Sequence, residues 1–168
     1  LIFRDLEDIK NRLGEEIARS FKWSGNSPLN GHLFSLLLFS EKPLGLQEMA
    51  DRLGVTKAAV SIRIRALERM GLCVKVSRLG DRRDYYQLAE DAGLVSIRIS
   101  LAAMRHISSF LESILADFPT SYPEEQRESF ETARRRLTEM KALHDLCLER
   151  LDGLDEEWEK RKKSLWRG

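Results

Sequence analysis

Residues 50–88 read ADRLGVTKAAVSIRIRALERMGLCVKVSRLGDRRDYYQL, and two glycines divide the stretch into three pieces. Gly54 stops a short helix predicted over residues 46–53, because positive φ costs glycine least. That helix opens at Gly45, a workable N-cap, with Glu48 supplying half a capping box. Thr56 then caps a second helix over residues 57–70, which Gly71 ends. Val60, Ile64 and Leu67 share one face of it, and Lys57, Ala58, Ser61, Ile62, Arg65 and Arg69 turn away. After Gly71 the period falls from 3.6 to 2. Leu72, Val74 and Val76 alternate with Cys73, Lys75 and Ser77, a strand pattern. A polar loop over residues 78–83 and a return strand over residues 85–88 make a short hairpin with a basic tip.

The joint between the two helices carries its own spacing. Ala50 is small enough for a close helix crossing, Gly54 makes the turn four residues on, and Val60 fills the angle between them. Met49, Leu53 and Val55 complete a small core. Helix, tight turn, helix and basic hairpin follow the order of a winged helix-turn-helix, which lays its second helix in the major groove. Its wing reaches phosphates or the neighbouring minor groove.

Outward from this stretch the chain is helical. Leu6, Ile9, Leu13 and Ile17 form one stripe of a helix that ends near Lys22, ahead of Gly25, Asn26, Ser27 and Pro28. Residues 32–40 are apolar nearly all round and predict the buried centre of the domain. Beyond residue 90, a seven-residue template picks out Leu94, Ile97, Leu101, Met104, Ser108, Leu111, Leu115 and Phe118. Pro119 and Pro123 break that helix. A second long helix follows, with Leu137, Met140, His144, Cys147 and Leu151 on its stripe, and Gly153 as a candidate interruption. Together they predict an antiparallel helical hairpin. Its stripes are too wide for mutual burial alone, so Leu94, Ile97, Leu101, Met104, Leu111, Leu115, Leu137, Met140 and Leu151 are candidate subunit-interface residues. The fold class is therefore mostly α: a winged helix-turn-helix domain over residues 1–90 and a helical dimerisation region over residues 91–168.

Charge separates the same parts. The 168 residues carry 28 basic and 27 acidic side chains, a net +1. Residues 55–88 hold eight of the basic ones against Glu68, Asp81 and Asp84, a local +5 on a body of −4. Such a patch is the electrostatic footprint of polyanion binding. Hydrophobic residues at 42% and charged ones at 33% describe a globular chain rather than a disordered one. No apolar run approaches a membrane span, so no membrane partner is expected. The opening LIFRDLEDIK lacks a signal peptide's apolar block. Cys73 and Cys147 stand far apart in apolar surroundings, which suits a reducing cytoplasm.

Residues 50–88 resemble the DNA-binding domain of MarR-type transcriptional regulators. Trp23, Pro28 and Gly31, with the wing sequence GDRRDYY, are most similar to the glycine-betaine-synthesis-repressor (GbsR-like) branch. The likeness is specific over about residues 20–90 and architectural beyond. It implies a cytoplasmic homodimer that binds double-stranded operator DNA and is released by a small-molecule effector. It also puts Ser61 and Arg65 where the recognition helix faces bases or phosphates. Asp81 and Arg83 fall on the wing's Asp-x-Arg, with Asp81 as the brace of an arginine. Ala58 and Ala59 depart from the small polar or glycine residues common in the branch, so no operator sequence carries over.

Side-chain chemistry assigns the remaining roles. Arg65 suits a bidentate pair with a guanine edge, or a phosphate. Thr56, Lys57 and Ser61 flank a helix N-terminus that favours phosphate, though a plain capped turn would look the same. Arg78, Arg82 and Arg83 face DNA from the wing. Arg63 either flanks the groove or pairs with an acid. Under the GbsR-like likeness, Trp23, Tyr85, Tyr86 and Trp158 are candidates to hold a quaternary ammonium effector by cation–π contact; core or interface anchoring is the alternative for the tryptophans. His32, His106 and His144 have no metal-ligand spacing, and no catalytic set or cofactor loop is legible. A winged-helix assembly module that reads no DNA is the competing function.

Overall fold

A computed structural model of the chain describes residues 5–165. The first four residues of the opening stretch lie outside the described residues. The chain divides into two compact units, one through Ser96 and one from Ile97.

In the first unit, Asp5 caps helix α1 (Leu6–Trp23) by accepting the Asp8 N–H at 2.9 Å. Helix α2 runs over Pro28–Leu38, four residues earlier than the periodicity suggests, because Pro28 sits in its first turn, where no N–H is needed. α1 packs on α2 by its small residues: Gly14 and Ala18 are buried, whereas Leu6 and Leu13 are exposed. The reason is close approach. A Cβ on Gly31 would stand 2.5 Å from the Ala18 Cα, so the backbones nearly touch there.

Strand β1 (Leu44–Gly45) leads into α3 (Leu46–Leu53), which ends at Gly54 with φ +63°. Helix α4 (Lys57–Arg69) follows, its N–H of Ala59 donating to the Thr56 hydroxyl at 3.2 Å. The hairpin is β2 (Cys73–Arg78) and β3 (Asp81–Leu88). β3 lies in the middle of a three-stranded antiparallel sheet, with β1 on its far edge. Leu44 pairs with Tyr86 and Gly45 with Tyr85, a strand too short to leave a periodic signal. Leu33, Leu37, Met49, Val60, Ile64, Leu67 and Tyr86 form the core of the unit.

Helix α5 (Ala92–Ala116) crosses the boundary between the units. Contrary to the reading of apolar runs, it is long and apolar enough by length and composition to cross a bilayer. A single such helix is weak evidence of a span, and Arg98, Arg105 and Glu112 interrupt this one. In the second unit a turn of 3-10 helix (Glu124–Gln126) precedes α6 (Arg127–Arg150). Gly153, with φ +73°, separates α6 from α7 (Leu154–Leu165). Phe130 stacks on Tyr122 at 4.8 Å and meets Phe118 edge-on at 6.0 Å, closing the hairpin's turn. Arg98 pairs with Asp155, and Ser108 donates to Asp145 at 2.5 Å.

Candidate nucleic-acid interface

The α3–α4 joint is tied by its backbone: the Val55 N–H donates to the Ala50 carbonyl at 3.1 Å, across Gly54. Val60, Ile64 and Leu67 then face the core with no exposure at all. Ala58, Ile62, Arg65 and Arg69 repeat the same spacing on the opposite side of α4, and all four are exposed. Ser61 is half-buried at the edge of this face, and Thr56 and Lys57 are exposed at the helix start. The helix therefore presents cations around a small apolar strip.

The wing is held by a network that composition does not reveal. Arg83 donates to both oxygens of Asp81, with Nε at 3.0 Å and Nη2 at 2.6 Å. The Arg83 N–H and the Tyr85 hydroxyl also donate to Asp81, at 2.9 and 2.8 Å. Arg83, and then these two donors, hold the Asp81 carboxyl well below the usual carboxylate range. Arg78 lies over the Tyr85 ring at 3.8 Å and donates to the Pro43 carbonyl at 2.8 Å. It thus ties the wing to the chain ahead of β1, so its first role is structural. Lys75 pairs with Asp84 at 2.7 Å. The Arg82 side chain makes no ion pair or hydrogen bond among the described residues, which leaves its guanidinium the most available on the wing.

Between wing and helix start lies an open cleft of about 430 Å³. Lys57 comes to it from α4, and Arg78, Arg82, Arg83, Asp84 and Tyr85 from the wing. Gln47 and Glu48 of α3 close the other side. Lys57 and the wing arginines named from the sequence line this cleft; Gln47 and Glu48, exposed on α3, were not among the sequence candidates.

The aromatic candidates do not offer free faces in the wing. Tyr86 is 2% exposed within the core, and the Tyr85 ring is covered by Arg78. Trp23 is 93% exposed, which removes the core-anchor alternative for it in the single chain. Trp158, in the second unit, is half-buried with its Nε1 unpartnered among the described residues. No group of His, Cys, Asp and Glu able to hold a metal occurs among the described residues. Cys73 is buried, its thiol donating to the Ile64 carbonyl at 3.7 Å, and burial pushes that thiol up to about 12.

The candidate interface residues fall into three groups. Leu94, Leu101 and Leu111 are buried within the single chain, so they have no free surface to give a partner. Met104, Leu115 and Leu137 are half-buried, while Ile97, Met140 and Leu151 are exposed. Ile107 and Phe110, which widen the α5 stripe in the sequence, are exposed too, as are Ile99 on α5 and Leu143 and Leu146 on α6, which the sequence reading did not name. They lie off the seven-residue seam, which is why a single-seam template passes over them.

Comparison with known proteins bears on the first unit most directly. The sequence model of the MarR family matches residues 36–85, which take in α3, α4 and most of the wing. A crystal structure described as a transcriptional regulator superposes with a TM-score of 0.58 at 22% identity, over 84% of this chain and 97% of that one. MepR of Staphylococcus aureus, in a complex with DNA, is similar at 20% identity over 78% of this chain and 91% of its own, with a TM-score of 0.41. No curated protein matches the chain. The fold is a winged helix-turn-helix, with a segment that the MarR family model matches.

Proposed function

We propose that the chain is a sequence-reading transcriptional regulator, a repressor that binds duplex DNA as a homodimer and is released by a small ligand. The observation that carries the reading is the presence of two cationic surfaces in one unit. Arg65 and Arg69 stand on the exposed side of α4, and Lys57, Arg82 and Arg83 border the cleft beside the wing. Helix cations suit base edges and flanking phosphates, and wing cations suit the next stretch of backbone. Asp81 holds Arg83 in one orientation, which lowers the entropy lost when it meets a phosphate. The Trp23, Pro28 and Gly31 positions and the GDRRDYY wing favour the GbsR-like branch within the MarR type. Residues 1–90 are the DNA-binding part and residues 91–168 the dimerisation part. The exposed Ile107, Phe110, Leu143 and Leu146 supply apolar surface for a second copy.

Selection from random duplex DNA, with binding followed across salt, tests this. The expected result is an inverted repeat with half-sites about 34–36 Å apart, as a two-fold dimer requires. Salt-sensitive binding without an enriched sequence would reduce the function to non-specific DNA binding. No binding at low salt would overturn the reading in favour of a protein-assembly module.

A further inference from the structure

We propose that Ile62 is a specificity-determining residue that reads the C5-methyl group of a thymine in each half-site. The inference rests on the DNA-binding reading above and adds to it a base identity. Ile62 is 63% exposed at the middle of the α4 face that points directly away from Val60, Ile64 and Leu67. Cations surround it: Lys57 lies at the helix start, Arg65 and Arg69 share its stripe, and Arg63 stands beside it. An exposed β-branched side chain in that setting gains nothing from water, and the described residues leave most of it uncovered. Ala58, one turn earlier and also exposed, leaves room beside it for close approach to a flat surface.

The floor of the major groove supplies one apolar group among its donors and acceptors, the thymine methyl. A helix that enters the groove with its arginines on phosphates or guanine edges brings the Ile62 side chain to base-pair depth. There its methyl groups meet either a thymine methyl or a polar edge that would lose water without compensation. The sign of the preference follows. Thymine opposite Ile62 is favoured, and cytosine or uracil is disfavoured.

The experiment replaces thymidine by deoxyuridine, one position at a time, in the duplex selected by the wild-type protein. Deoxyuridine keeps every hydrogen-bonding group and removes only the methyl. One thymine per half-site should weaken binding about fourfold when replaced, and about fifteenfold when both half-sites are changed. In Ile62→Ala the two duplexes should bind equally, with the salt slope unchanged, because no phosphate contact is touched. Ile62→Val should retain part of the discrimination. Equal binding of both duplexes by the wild type would overturn the inference, and so would an undiminished preference in Ile62→Ala. Binding without any enriched sequence overturns it while leaving DNA binding in place. Failure to bind DNA at all overturns the functional reading as well.

Discussion

Gly31→Ala tests how tightly α1 and α2 are joined, because helix propensity and packing predict opposite signs. In an open helical position the change would stabilise by about 0.8–1.0 kcal/mol, alanine being the better helix former. At Gly31 the new Cβ would stand 2.5 Å from the Ala18 Cα, 2.6 Å from its N and 2.8 Å from the Ile17 carbonyl carbon. All three are backbone atoms, so no side-chain rotation relieves the overlap. Ordinary contact requires the helices to part by about 1 Å, a gap that forfeits a quarter to a half of each contact's dispersion energy. The Phe21–Phe34 contact, at 6.4 Å between centroids, lies in the same helix pair. Overpacking of this kind costs about 1–3 kcal/mol. With lost packing added and propensity subtracted, the net is about 2 kcal/mol destabilising. Urea unfolding followed by circular dichroism reads this as a midpoint lowered by about 1 M, for a slope of about 2 kcal/mol per M. Gly93→Ala, where nothing lies within 4 Å, serves as the control and should leave the midpoint unchanged or slightly raised. A Gly31→Ala midpoint equal to or above wild type would refute the close-approach argument.

Three further outcomes are expected. Arg82→Ala should reduce the salt slope of DNA binding by about one unit per wing without lowering stability, since the Arg82 side chain has no partner among the described residues to lose; equilibrium binding across salt with a parallel urea melt measures both. Phe110→Asp with Leu143→Asp should yield monomers of unchanged helicity by light scattering and circular dichroism, whereas Leu101→Asp, on a residue already buried in the chain, should lose helicity instead. A native protein at pH 8 should react with a thiol reagent at no more than one cysteine per chain, because burial leaves Cys73 almost no thiolate there, and both should react after unfolding.

The parts legible in the sequence are those in which a local pattern and the tertiary structure ask for the same residue. Gly54 and Thr56 bound α3 and α4 where caps and turn chemistry place them, and the Val60, Ile64 and Leu67 stripe is buried as its spacing implies. Long-range choices were not legible. The stripe Leu6, Ile9, Leu13 and Ile17 predicts the buried face of α1, yet the helix turns Gly14 and Ala18 inward because Gly31 lets the backbones meet. β1 has two residues and owes its existence to Tyr85 and Tyr86 in a strand 40 positions away. On the wing, basic charge identifies the surface but not the division of labour. Arg78 is committed to Pro43 and Tyr85 and Arg83 to Asp81, while Arg82 stays available. That division depends on Pro43, which no pattern within the hairpin contains.

Two polar pairings run along the second unit's hairpin. Arg98 with Asp155 and Ser108 with Asp145 lie at a single antiparallel offset. An apolar stripe repeating every seven residues fits its partner nearly as well after one helix slides by a full repeat. The polar pairs do not. A slide of seven would strand Ser108 and Asp145 opposite strangers in a half-covered seam, where an unpaired polar group is costly. The hairpin therefore behaves as a ruler with a single zero mark, and lengthening it calls for matched insertions in both arms.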